Sequence, residues 1–212
     1  MPILTIWVMV KVFIDESGSF VSLPDGTLCM VGALILPDQN YKFIEKLYLK
    51  LRSRLPKENG EVKGRHLDEE QINLVVDLLR RNQAILEINA VDLKIQSEHD
   101  LEKYRTRHLA RQSESLHEFK GNAIAKVIAS NQQIAETSLQ LYLQALMVTH
   151  LLHRVVNTST LYFSQRQPKE LNNFSWIVDG KDKQRITKWE TWLEWFSKGA
   201  ISTMSKTKPF HS

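Results

Sequence analysis

The sequence predicts one mixed α/β domain over residues 1–212, with a central sheet, flanking helices and a helical insertion at 98–156. Three observations carry this prediction. Two apolar runs near the N-terminus are joined by turn-forming residues, helical and strand periodicities then alternate, and a long proline-free helical stretch separates the first strands from a later one. A chain of 212 residues buries roughly two-thirds of its unfolded surface around one core. The single cysteine, Cys29, lies in the apolar run Leu28-Cys29-Met30-Val31, which predicts a buried small side chain and a reducing, cytoplasmic setting without disulfides.

Val10 to Ile14 reads as the first strand. Asp15-Glu16-Ser17-Gly18-Ser19 supplies turn chemistry, and Thr27 to Leu36 forms the second strand of a hairpin, ended by Pro37-Asp38. Phe43, Ile44, Leu47, Leu51 and Leu55 recur at helical spacing over 41–55, before Pro56-Lys57-Glu58-Asn59-Gly60 breaks the pattern. Asp68 with Gln71 three residues later is a capping-box start for a second helix through Ile72, Val75, Val76 and Leu79. Ala84 to Leu93 carries apolar residues on both faces, the pattern of a buried strand. The stretch from Glu98 to Val156 is polar around His99 to Lys120 and apolar from Leu139 to Leu152. Phe174 to Asp179 is a last strand, and Gly180-Lys181-Asp182 leads into a helix whose Trp189, Trp192, Trp195 and Phe196 share one face. Those tryptophans and Trp176 read as core.

Ile3 to Val10 has no basic region ahead of it and runs straight into Lys11-Val12-Phe13, so it reads as strand and not as a leader. No apolar stretch reaches the ~20 residues of a bilayer span, and no membrane association is expected. Residues 1–180 are balanced in charge, whereas 181–212 carry seven basic and three acidic groups, so the net +4 is C-terminal and suits recruitment of phosphate. Dinucleotide-binding, P-loop, nucleophile-elbow and zinc-protease motifs are all missing from the sequence.

The sharpest chemical feature is a pair of strands that each end in a carboxylate closely followed by glycine: Ile14-Asp15-Glu16-Ser17-Gly18 and Val178-Asp179-Gly180. Strand-end acids are held by the sheet while their heads reach the surface. Two on neighbouring strands can converge on a hard cation, which prefers oxygen ligands. Ordinary turns use the same residues, because Asp and Gly favour local hydrogen bonds and positive φ. Glu61, Lys63 and His66 add a third carboxylate beside groups that can touch phosphate or move a proton.

These segments resemble a known family. Val12-Phe13-Ile14-Asp15-Glu16-Ser17-Gly18, the strand Met30 to Ile35, Glu61-x-Lys63, Leu161 to Lys169 and Trp176 to Asp179 are similar to the family called "domain of unknown function 3800", over roughly residues 10 to 208. The resemblance implies a ribonuclease H-like fold. It also implies hydrolysis of nucleic-acid phosphodiesters with Mg²⁺ or Mn²⁺, with Asp15, Glu61 and Asp179 as metal ligands and Glu16, Lys63 and His66 in support. Family members usually continue into a further strand and a helix opening on an Ala-Asp-Leu-like motif, where this chain has Pro209-Phe210-His211-Ser212. The resemblance is therefore to a shortened member lacking one acid. The alternative is a non-catalytic module that binds nucleic acid or protein, and self-association as a homo-oligomer is compatible with either.

Overall fold

In the computed structural model, residues 9–20, 28–118 and 120–178 are described. They form a four-stranded mixed sheet in the order β3-β2-β1-β4, flanked by helices. β1 (Val10–Ser17) and β2 (Leu28–Leu36) pair antiparallel, with Phe13 opposite Leu34 and Asp15 opposite Gly32. β3 (Ile85–Asp92) pairs antiparallel with β2 on one side of the sheet. β4 (Phe174–Val178) pairs parallel with β1, Val10 opposite Phe174 and Ile14 opposite Val178.

β1 runs further than expected: Asp15, Glu16 and Ser17, read from the sequence as turn, continue the strand opposite Gly32, Val31 and Met30, because β2 is long enough to pair with them. Gly18 has φ 103°, and a Cβ there would meet the Leu28 carbonyl oxygen at 2.8 Å and the Cys29 Cα at 2.9 Å, so only glycine fits. The Phe20 amide donates to Cys29 Sγ at 3.2 Å, and Cys29 is fully buried, as its apolar surroundings predict.

α1 (Asp38–Arg52) follows β2 directly. Its N-cap position is Pro37, which has no side-chain acceptor, so the free N–H groups of the first turn need one from elsewhere. Glu170 supplies it, from the short 3-10 turn Pro168–Asn172: Oε2 accepts from the Asp38 amide at 2.8 Å and Oε1 from the Gln39 amide at 3.2 Å. α2 (Glu69–Arg81) opens on the expected capping box, Asp68 Oδ1 accepting from the Gln71 amide and Gln71 Oε1 from the Asp68 amide. It packs on α1, and Ile72 and Val76 stay exposed.

α3 (Glu98–Glu114) and α4 (Asn122–Glu136) pack against each other, and α5 (Leu139–Arg166) packs on β2 and β3. The helical stretch expected to end at Val156 thus runs ten residues further. Asn157-Thr158-Ser159-Thr160 looks like a polar terminus in sequence, yet Ser159 is fully buried and the Thr158 hydroxyl donates to Glu87 at 2.7 Å on the sheet. Among the described residues, no helix is long and apolar enough to cross a membrane.

One face of the sheet, Val10, Val12 and Ile14 with Cys29, Val31, Ala33 and Ile35, forms the core with Tyr142, Leu151, Val155 and Phe163 of α5. β3 differs from the expectation of a buried strand. It is an edge strand that turns Glu87 and Asn89 towards α5 and leaves Leu86 62% and Ile88 45% exposed. The inward polar groups are matched: Arg154 pairs with Glu87 at 2.5 Å, and the Asn89 amide donates to the Met147 carbonyl at 2.9 Å. Trp176 also departs from a core role. It stacks on Phe174 at 5.8 Å but is 40% exposed, because β4 is the other edge; Trp189, Trp192 and Trp195 lie outside the described residues.

Candidate functional site

Strand alternation places Asp15 on the face opposite the α5 core, in line with Lys11 and Phe13. Its side chain is exposed, and Oδ1 accepts from the Glu16 amide at 2.8 Å. The cross-strand neighbour is Gly32, where an added Cβ would meet, among the described residues, nothing nearer than the Glu87 carbonyl oxygen at 3.9 Å. Glu16 is half-buried and points to the core side. The same face of β1 is anchored to α1: Lys11 pairs with Asp38 at 3.4 Å and Phe13 stacks on Tyr41 at 6.1 Å.

Asp179 lies outside the described residues. The residue before it, Val178, ends β4 in parallel register with Ile14, the residue before Asp15.

Glu61 belongs to a hairpin that the sequence carries in Asn59-Gly60. Both residues take positive φ, 51° and 82°, and the Glu58 and Glu61 amides and carbonyls exchange bonds at 2.8 and 3.0 Å. Asn-Gly is the preferred pair for such a two-residue turn. The turn sets Glu58 opposite Glu61, an unfavourable like-charge pairing that nearby cations offset. Lys63 bonds Glu61 at 2.5 Å, Arg65 pairs with Glu58, and Arg52 of α1 donates to the Gly60 carbonyl at 2.6 Å. Gly64–His66 then forms a single 3-10 turn.

His66 Nε2 lies 3.3 Å from both Arg65 Nε, which donates to it, and Glu58 Oε2. The two contacts need different forms of the ring: a neutral Nε2 accepts from Arg65, a protonated one donates to Glu58. The hydrogen bond to Glu61, and then its negative charge, hold the Lys63 ammonium above its ordinary range. Lys63 is therefore a cation at neutral pH and no general base. It can neutralise a carboxylate or a phosphate oxygen.

Glu58, Arg65 and Arg52 were not singled out from the sequence. The signal for them was the Asn59-Gly60 turn, which pairs the residues on either side of it, whereas reading 56–60 only as a helix breaker hides that pairing. Among the described residues, no three His, Cys, Asp or Glu side chains gather in a metal-holding arrangement. Comparison with family models, curated proteins and solved structures finds no match to this chain.

Proposed function

We propose that this chain is a divalent-metal-dependent nuclease with a ribonuclease H-like sheet, similar to the domain of unknown function 3800 family, acting on nucleic acid in the reducing cytoplasm. The observation that carries the reading is the parallel pairing of β1 with β4. Ile14 and Val178 are register partners, and each is followed in the chain by an aspartate, Asp15 and Asp179. Asp15 lies within β1 and Asp179 directly follows β4 in the chain, and acids one residue beyond register partners on neighbouring parallel strands would suit a hard cation between them.

In this reading Asp15, Asp179 and Glu61 would hold Mg²⁺ or Mn²⁺, with Glu61 giving up its bond to Lys63, and the chemistry such an ion would supply is activation of water and stabilisation of the departing oxygen. In the same reading Lys63, held protonated, would offset charge on the phosphate, His66 would pass a proton to the leaving oxygen, and Glu16 would support β1 from the core side.

The non-catalytic alternative has an observation of its own. Both acids of the 58–61 hairpin are already engaged by cations, as in a domain whose site has become structural. Cleavage of single-stranded, duplex and hybrid substrates in Mg²⁺ and in Mn²⁺ separates the two. Wild-type protein cleaves and Asp15→Asn loses about a thousandfold in rate, roughly 4 kcal/mol of transition-state stabilisation, with its melting temperature unchanged. Cleavage that survives in Asp15→Asn or in EDTA rejects the metal reading.

A further inference from the structure

The largest basic excess of the described residues lies in α1 and the segment after it, ahead of that of residues 103–111 in α3. Residues 42–57 contain six basic residues and one acidic residue, an excess that division of the chain at residue 180 averages away. Lys42, Lys46 and Lys50 recur every fourth residue, about 6 Å apart along the helix, and all three are exposed, as are Arg54 and Lys57 beyond the helix end. They lie opposite the side of α1 that carries its buried Ile44. Most basic groups around them are paired: Lys11 with Asp38, Lys63 with Glu61, Arg65 with Glu58, Arg80 and Arg81 with Asp77. None of the five ridge cations has an ion-pair partner among the described residues.

Helix stability does not account for this row. Like charges four residues apart destabilise a helix, and the macrodipole favours only Lys50 of the row, which stands in the last turn. Phe43, 57% exposed, and Leu49, 55% exposed, flank the row. At 100° per residue they stand about 120° apart with the lysines between them.

We propose that the α1 ridge of Lys42, Lys46, Lys50 and Arg54 is a docking face for the phosphodiester backbone of nucleic acid, leading the strand to the Glu58–Glu61 hairpin. The ridge is physically continuous with that hairpin, since Arg52 on the last turn of α1 donates to the Gly60 carbonyl. This deepens the nuclease reading by naming where its substrate binds. An anionic bilayer fits less well: a membrane-surface helix buries one contiguous apolar face, whereas here the lysines form the crest and the apolar residues are split to either side. On a flexible strand, Phe43 and Leu49 instead offer surfaces for bases on both flanks of the backbone.

The test is fluorescence anisotropy with labelled single-stranded and duplex DNA and RNA over a salt series, in EDTA so that cleavage does not interfere. Wild-type protein binds with salt-dependent affinity. Lys42→Gln/Lys46→Gln/Lys50→Gln, with an unchanged melting curve, loses at least about tenfold in affinity at 0.1 M salt, and its salt slope falls by about two to three. A charge-matched control, Lys94→Gln/Lys103→Gln/Lys126→Gln, loses much less. Equal losses in the two triple variants mean diffuse attraction and overturn the proposal, as does wild-type binding to phosphatidylserine vesicles with none to nucleic acid. Absence of any binding overturns it as well. Wild-type cleavage with full affinity in the ridge variant would sink the docking face and leave the nuclease reading standing. Ridge-dependent binding without cleavage would do the reverse.

Discussion

The two faces of the sheet differ in composition and meet different fates: β1 and β2 offer Val10, Val12, Ile14, Val31 and Ile35 to one side, and Lys11, Asp15, Ser17 and Gly32 to the other. On the α5 side, Val12, Val31, Ala33 and Ile35 are fully buried, and even the polar intruders Glu87 and Asn89 find partners on the helix. On the other side, α1 crosses at Lys11 and Phe13, while Leu28, Leu86, Ile88 and Ile177 remain exposed. Asp15 and Gly32 belong to this second face. The difference teaches that, among the described residues, the α5 side carries the larger share of the buried packing.

The largest contrast comes from deleting one leucine on each side. Leu151 is fully buried against the sheet, so Leu151→Ala costs about 3 kcal/mol and lowers the melting temperature by about 6–12 °C. Leu86, 62% exposed, has little burial to lose, and Leu86→Ala changes stability by less than about 0.5 kcal/mol. Thermal melts of the two variants side by side measure the contrast, and equal losses would mean that the faces are equally packed.

A smaller effect tests how the two sides are tied together. Glu170, 1% exposed, holds the first turn of α1 through two charge-assisted bonds across 131 and 132 residues of chain. Glu170→Ala removes both and costs about 2 kcal/mol, whereas Glu170→Gln keeps an acceptor and loses less. Denaturant unfolding ranks the two, and an alanine variant as stable as wild type would show that water replaces the cap.

The smallest effect concerns pH. His108 of α3 is half-buried, its Nδ1 2.9 Å from the Tyr142 hydroxyl and its Nε2 2.9 Å from the Gln112 amide nitrogen. Burial, and then the charges of His150 and Arg111, hold it below its ordinary 6.5. The unfolded chain thus takes up the proton first as pH falls, and stability declines below about pH 6.5. His108→Gln should flatten that part of the profile of melting temperature against pH; an unchanged slope would assign it to other groups.

Much of this was legible in the residues. The positive φ of Gly18, the capping box at Asp68 and the buried place of Cys29 depend on residue type and contacts close along the chain, and the structure has them as expected. The Asn59-Gly60 turn was legible too, though reading it only as a helix break concealed the pairing of Glu58 with Glu61. Sequence also named Asp15, Glu61, Lys63 and His66 as chemically suited residues, since suitability follows from side-chain type and position on a strand end or turn.

Tertiary structure alone decided the rest. Nothing local says that Glu87 turns inward while Leu86 and Ile88 turn out, because alternation fixes two faces without saying which one a helix will cover. The answer lay in Thr158 and Arg154 of α5, which satisfy a buried carboxylate that would otherwise be costly. The cap on α1 comes from Glu170, and the parallel partner of β1 is a strand more than 150 residues away. Such pairings depend on which distant groups complete each other's hydrogen bonds once the core has closed, and a linear pattern of residue types does not contain that choice.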